Sequence, residues 1–474
     1  MHISQSDLIP VLTSFNPWWR GQRFSLPDWH RAAFKELYDW TMNPPAPRAV
    51  FLSGARQVGK TTLILQLIQR MIFQEGIPAG SILYATMDHP LLKLAGLELV
   101  LKTWSSLDTT EYNPQYVFID EIQCIKDWDT WVKFQVDFNK NIRIIFTGSA
   151  LPIKNLSSES GVGRWHTCKI TTLSFYEYIK IKNIEITNTI QLQSLLDLFS
   201  LSNTDFIKIS TDTENYIGYF YDYLFRGGFP QTALISDITE AQKLIREDII
   251  DKVLKRDMTA FYGVRHVLDL ETVFLYLCMH DDDIIDMKTL CDNLEIKRPT
   301  AQSYIELLES AYLLTKLQPL GYGKDILRGK FKVYLNDASL SPAVLLKGRD
   351  FIYDTGFLGK CVESTIFKHL TQRNYNQSIH FNYWKNHKKQ EVDFIASVNN
   401  SCIPFEVKYR ENHTEKRDFP GLVDFFKQKS PPHGYIITKN ASDIGRVSWG
   451  PIMKIPAHLF CWWMGEHELH EFKF

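Results

Sequence analysis

Residues 51–62, reading FLSGARQVGKTT, constrain this chain more than any other stretch. Gly54, Gly59, Lys60 and Thr61 fit the phosphate-loop pattern G-x-x-x-x-G-K-[ST] at every fixed position. The apolar run 49–53 before it suits a buried strand. After it, Leu63, Leu65, Leu67, Ile68 and Met71 recur at helical spacing. A strand, a glycine turn and a helix are the setting in which this motif differs from a chance glycine turn. The backbone from Gly54 through Ala55, Arg56, Gln57, Val58 and Gly59 to Thr62 then cradles phosphate oxygens with its N–H groups, helped by the positive end of the helix. Lys60 supplies a point charge for the terminal phosphates and Thr61 a hydroxyl for Mg²⁺.

Residues 116–121, YVFIDE, form an apolar strand that ends in two carboxylates, about 60 residues after Lys60. Asp120 would hold Mg²⁺ through its water shell, and Glu121 would orient or activate the attacking water. The plain alternative is a strand running out into a polar turn. The spacing instead points to a hydrolysing nucleotide site that takes ATP and Mg²⁺.

A chain of 474 residues exceeds one hydrophobic core, and two to four domains are expected. Apolar content of 45% and charged content of 23% are ordinary for a water-soluble globular protein, and a net charge of −1 neither favours nor excludes nucleic acid. The seven cysteines form no C-x-x-C pair, which predicts reduced thiols and no zinc site. The start, MHISQSDLIP, lacks a basic-then-apolar segment, and no apolar run reaches about 18 residues, so a cytoplasmic protein is expected.

Along the chain, Asn16-Pro17-Trp18-Trp19 suits either stacking on an adenine or plugging an N-terminal arm onto the core, and the second is favoured. A helix is predicted over 27–42, stopped by Pro44-Pro45-Ala46-Pro47. From 48 to about 172, strand and helix alternate as in a parallel α/β sheet. The strand 141–149, NIRIIFTGS, ends in hydroxyls, and Thr147 or Ser149 stands where a phosphate sensor would, unless it caps a helix. Arg164 closes the polar loop SSESGVGR and would reach a phosphate in this subunit or a neighbour's, or else form a surface ion pair. Residues 186–214 suggest a helical insertion, and the turn YLFRGGFP at 223–230 a structural role. The run 286–314 has helix-turn-helix spacing, with strands at 317–318 and 331–335 as a wing. Lys297, Arg298 and Ser303 would face DNA if the second helix read a groove.

A separate pattern follows residue 350. Glu363 lies on a predicted helix, Asp393 in the strand EVDFIA, and Glu406 and Lys408 in the strand IPFEVKY. Period-two geometry puts Glu406 and Lys408 on one face, and a hairpin turning at Asn399-Asn400-Ser401 brings Asp393 beside them. Glu363, Asp393 and Glu406 could hold Mg²⁺ or Mn²⁺, with Lys408 stabilising charge on a reacting phosphate and Lys385, Lys388 and Lys389 nearby. A cross-strand ion-pair cluster is the alternative.

The segments NPWW, GARQVGKTT, VFIDEIQCIKDW, IIFTGSA, GVGR, LSFYEY, RGGFP, GKCVESTIF, EVDF and FEVKYR run in an order that resembles prokaryotic AAA-type ATPases carrying a C-terminal PD-(D/E)XK, restriction-endonuclease-like domain. The resemblance implies an α/β chain: an arm over 1–47, a phosphate-loop ATPase core over 48–180, a helical lid over 181–245, a winged-helix-like domain over 246–345 and a nuclease-like domain over 346–474. It implies DNA as a partner, with a protein partner or a second copy of the chain as further possibilities. Residues 186–214 match nothing in the family pattern, and no second arginine sensor follows the core.

Overall fold

The computed structural model describes residues 3–107, 113–148, 163–186, 190–321, 330–374, 379–398, 401–411 and 415–466. One compact unit runs to Ile170 and takes in Asp257–Gly263; the other holds Thr171–Arg256 and the chain from Val264 onward.

The first unit is built on five parallel strands: β1 (Ala49–Gly54), β2 (Ile82–Thr86), β3 (Gln115–Asp120), β4 (Ile142–Gly148) and β5 (Trp165–Ile170). Their spatial order is β2-β3-β4-β1-β5. Val50, Phe51, Leu52 and Val117, Phe118, Ile119 are buried on both faces of the sheet, as helix-covered parallel strands require. The helix Lys60–Phe73 buries Leu63, Ile64, Leu67, Ile68 and Met71, each contributing about 2 kcal/mol of apolar burial. Aromatic rings fill the other side of β1 and β4. Phe51 stacks on Phe146 at 4.8 Å, and Trp128 lies 5.4 Å from Phe146.

The arm closes the edge strand β2. The Asn16 side chain donates to the Tyr84 carbonyl and accepts from the Tyr84 amide at 2.8 and 2.7 Å, as a neighbouring strand would. Trp18 and Trp19 both donate their indole N–H to the Ile82 carbonyl. The tryptophans therefore seal a sheet edge. The following helix is Ala33–Met42, shorter than the span 27–42 predicted from its apolar pattern; Arg31 instead donates to the Val58 carbonyl at 2.8 Å, which holds the preceding segment against the glycine loop.

In the second unit, β6 (Ile284–Asp286), β7 (Leu314–Leu317) and β8 (Lys330–Leu335) form an antiparallel sheet in the order β6-β8-β7. The helices Met287–Leu294 and Arg298–Ser310 lie between β6 and β7 in sequence, and the Asp286 side chain caps the first. A second sheet, β13-β14-β12-β11-β10-β9, contains β9 (His380–Lys385), β10 (Glu391–Val398), β11 (Ser401–Lys408), β12 (Gly434–Thr438), β13 (Gly445–Arg446) and β14 (Ile452–Pro456). β9, β10 and β11 are antiparallel neighbours, whereas β12 runs parallel to β11 and β14. Among the described residues no helix is long and apolar enough to cross a membrane.

The helix Thr355–Asn374 sets Phe367 against Tyr334 of β8 and Phe394 of β10 and carries Glu363, Lys368 and His369. His369 is buried; its Nε2 accepts from the Phe175 amide at 3.0 Å and its Nδ1 donates to the Thr365 carbonyl at 2.8 Å, so the ring sits neutral. Burial, then the Lys368 charge, lower its pKa to about 3 from 6.5. The unfolded chain takes up this proton below about 6.5 and the folded chain does not, so stability is full above that pH and falls towards pH 3. We expect His369→Gln to lower stability at pH 7 but to shrink the loss between pH 7 and 4.5, read as urea midpoints at the two pH values. An unchanged acid slope would rule out His369 as a contributor.

Candidate functional site

The glycines of the phosphate loop are required by geometry. A Cβ on Gly54 would lie 2.1 Å from the Ile170 carbonyl oxygen, and Gly59 sits at φ 96°, in the left-handed region, immediately before the helix that starts at Lys60. Lys60 is buried and folds back over its own loop, donating to the carbonyls of Gly54 and Ala55 at 3.0 and 2.8 Å. Burial lowers its pKa, against the pull of Glu121 and Asp120. An ammonium held among carbonyls inside a ring of backbone amides is ready to turn to an anion that replaces them.

The sheet order explains how the two sequence motifs meet. β4 separates β1 from β3, so the ends of β1 and β3 flank Thr147 on β4. The Asp120 carboxylate accepts hydroxyl protons from Thr61 at 2.6 Å, from Tyr84 at 3.0 Å and from Thr147. Thr61 and Asp120, a hydroxyl and a carboxylate in contact, are hard oxygen donors of the kind Mg²⁺ takes, and the pair fits that ion. Thr147 also accepts from the Glu121 amide at 2.9 Å, which ties it to both acids and leaves no helix-capping role for it. Ser149, the other sensor candidate, lies outside the described residues.

Glu121 follows the strand at φ 53°, a left-handed conformation uncommon for a non-glycine residue and concentrated at functional sites. Its carboxylate is bonded to the Gln123 side-chain amide. Burial raises its pKa, partly countered by Lys60. Arg56, within the glycine loop, makes a two-pronged contact with buried Asp257, both N–O distances being 3.0 Å. Sequence reasoning did not see Asp257, 201 residues away, nor the Tyr84 hydroxyl. Asp257 leaves no local pattern, and the Tyr84 contact depends on β2 lying beside β3.

Arg164 is corrected as a phosphate contact within its own subunit. Trp165 pairs with Ala49 and Ile170 with Gly54, so Arg164 stands at the opposite end of the sheet from the loop, about six strand residues or 20 Å away. Its guanidinium pairs with Asp137 at 3.4 Å on the surface.

In the second unit, Glu363, Asp393, Glu406 and Lys408 do converge. The β10–β11 register, with Phe394 opposite Phe405, sets Asp393 opposite Glu406, and a register shift in the β9 pairing between Val392 and Ile395 re-aims Asp393. Asp393 accepts from the Val407 amide at 2.8 Å, and Lys408 contacts Glu406 at 2.7 Å. Asn399 and Asn400 of the expected turn lie outside the described residues.

A residue that the sequence pattern did not single out stands among these acids. Lys332 on β8 is 3% exposed, and its ammonium lies 2.5 Å from Glu391, 3.3 Å from Glu363 and 3.5 Å from Asp393. Burial alone would lower its pKa; the carboxylates hold it well above the usual value. Tyr334 donates to Glu363 at 2.8 Å. Burial, and then the Asp393 charge, push Glu363 and Glu406 up to about 8, and the Oε2 of Glu406 is buried without a hydrogen-bond partner. That orphaned oxygen suits a cation. Lys332 lies between two of the three expected ligands, Glu363 and Asp393, at 3.3 and 3.5 Å. Lys385, one of the flanking lysines, pairs with Glu391 at 3.1 Å.

Against the expectation of no zinc-type cluster, Glu36, His166 and Cys168 bring donor atoms within 4.8 Å of one another. His166 is already bonded to Glu36 at 2.7 Å and stacks on Trp40 at 3.7 Å, while burial holds the Cys168 thiol protonated. These contacts account for the trio without an ion.

Residues 46–179 match a family model described as an AAA domain, and residues 217–350 and 358–457 match two described as domains of unknown function (DUF8612 and DUF4143). The chain is 25% identical over 371 residues to the uncharacterized protein MJ1544 of Methanocaldococcus jannaschii, covering 77% of this chain and 75% of that protein. It is 29% identical over 303 residues to MJ1637 of the same archaeon, covering 60% of each, and 25% identical over 383 residues to Rv2008c of Mycobacterium tuberculosis, covering 79% and 74%. A solved structure of C. elegans PCH-2 aligns over 43% of this chain and 57% of that one, with a TM-score of 0.25 and 16% identity. The AAA match and the loop geometry support an AAA-type ATPase that binds ATP.

Proposed function

We propose that the first unit is a Mg²⁺-dependent ATP hydrolase. The observation that carries this is the contact between Thr61 and Asp120 at 2.6 Å beside a buried Lys60. Thr61 and Asp120 hold the ion, which neutralises phosphate charge; the backbone from Gly54 to Thr62 positions the phosphates; Lys60 leaves its carbonyls for the terminal phosphates; and Glu121, oriented by Thr147 and Gln123, accepts a proton from water. Lys60→Ala should weaken binding of a fluorescent ATP analogue at least tenfold, an effect of about 1.4 kcal/mol or more, as loss of a charge-assisted contact implies. Unchanged affinity would defeat the assignment.

The nucleotide state then acts on the second unit, for which two readings stand. In the first, the β6–β8 segment is a DNA-associated winged helix and the C-terminal module a PD-(D/E)XK nuclease. Its support is the order strand, helix, helix, strand, strand, with Lys297 and Arg298 opening the second helix, and a helix before an antiparallel β9–β11 followed by a helix and parallel β12. In the second reading, the nuclease-like fold is an inactive scaffold for an ATP-driven switch that binds a protein partner. Lys332 among the carboxylates favours the second.

A further inference from the structure

We infer that Lys332 is the resident cation of the C-terminal acidic cluster, an ammonium delivered by strand β8 to the position where a divalent ion would bridge Glu363 and Asp393, so that the module takes no divalent ion unless β8 withdraws. The inference deepens the scaffold reading above and rests on it for the expectation that a nuclease-like site would need an ion.

Several independent features fix the ammonium. β8 is the central strand of its sheet, paired to β6 through Lys332–Ile284 and to β7 through Lys332–Leu317, so the backbone cannot slide without breaking both ladders. Along β8, Phe331, Val333 and Leu335 share one face, which leaves Lys332 and Tyr334 on the other, towards the acids. Tyr334 and Lys332 share the Oε1 of Glu363, which accepts at 2.8 Å from the hydroxyl and 3.3 Å from the ammonium. Glu391 is shared between Lys332 at 2.5 Å and Lys385 at 3.1 Å. Asp393 gives one oxygen to the Val407 amide at 2.8 Å and the other to Lys332 at 3.5 Å.

Mg²⁺ or Mn²⁺ needs oxygens at about 2.1 Å in near-octahedral array. An ion bridging the two oxygens that Lys332 contacts, Oε1 of Glu363 and Oδ1 of Asp393, would stand beside the ammonium, where a buried +2 and +1 repel strongly. Lysine and ion are therefore alternatives. The lysine is covalently attached, so it fills the place without the cost of bringing a free ion from solution, and Mg²⁺ in particular gives up its water reluctantly. The arrangement also makes the cluster sensitive to the β6–β8 sheet: any movement that draws β8 back uncovers three carboxylates at once.

The test counts Mn²⁺ bound per full-length chain, from the free-ion signal in electron paramagnetic resonance, with the nucleotide site saturated by a non-hydrolysable ATP analogue. Wild type should bind one Mn²⁺, that of the nucleotide. Lys332→Met should bind a second, and Lys332→Met with Asp393→Asn should return to one. A second ion in wild type that Asp393→Asn removes overturns the inference; so does a folded Lys332→Met that gains none. Lys332→Gln carries the same expectation should the methionine variant fail to fold, and the wild-type measurement needs no variant. A missing first ion would count against the nucleotide reading, and the difference between Lys332→Met and wild type would still decide this one.

Discussion

Replacing Glu121 by glutamine should leave ATP binding intact while slowing hydrolysis at least a hundredfold, the range expected for loss of a positioned general base. The substitution keeps shape and keeps an acceptor for the Gln123 amide, so the left-handed turn at φ 53° has no reason to relax. Only proton acceptance is lost. Phosphate release under single-turnover conditions reads the chemical step, and a nucleotide titration reads affinity; hydrolysis at the wild-type rate would remove Glu121 from the mechanism. A pH profile provides a second readout. Burial raises the Glu121 pKa above 4.5, with Lys60 opposing and Asp120 reinforcing the shift. A base must be deprotonated to work, so the acid limb of kcat/KM should lie above the ordinary glutamate range and vanish in the variant.

How much of this site was legible before the structure depended on how far apart in the chain its parts lie. The glycine loop is encoded within twelve residues because backbone constraints are local: Gly54 has no room for a Cβ beside Ile170, and Gly59 needs positive φ. Asp120 and Glu121 were readable because an apolar strand ending in two acids is a local pattern as well. The Tyr84 hydroxyl on Asp120 was not, since it depends on β2 lying beside β3, with Ala85 opposite Ile119 and Thr86 opposite Asp120. Arg164 misled because a loop that ends in arginine says nothing about which end of the sheet it reaches. In the second unit, strand alternation placed Glu406 with Lys408 and the hairpin placed Asp393. Lys332 escaped because alternation assigns it a face but not the helix that the face meets. A lysine between Phe331 and Val333, with a tyrosine two residues on, reads like an exposed strand until the helix Thr355–Asn374 is laid across it.

That helix is itself held by a buried ion pair, whose loss should strongly destabilise the second unit. Lys368 and Asp337, 4% and 2% exposed at the side chain, meet at 3.2 Å. Lys368 also donates to the Leu173 carbonyl at 2.8 Å and to Tyr223 at 2.7 Å, and Asp337 accepts from the Gly228 amide at 2.9 Å. The turn RGGFP exists to allow this approach. Gly227 sits at φ 72°, and a Cβ on it would lie 2.1 Å from the Ser339 hydroxyl; one on Gly228 would lie 2.6 Å from the Leu173 carbonyl. Asp337 belongs to the segment 217–350 and Lys368 to the segment 358–457, so the pair joins the two matched domains. Lys368→Met leaves a buried carboxylate uncompensated, and we expect a loss of about 3–5 kcal/mol in denaturant unfolding. The double variant Asp337→Leu with Lys368→Met removes both charges and should recover much of that loss, because paired burial costs nearly what it gains. Burial would raise the Asp337 pKa, but Lys368 and the hydrogen bonds hold it below 3.8. Its contribution is therefore present above about pH 4 and drains only as pH falls further, unlike that of His369, which begins to fail near 6.5. A loss under about 1 kcal/mol for Lys368→Met, the range of an exposed pair, would show that this contact does not hold the helix that positions Glu363.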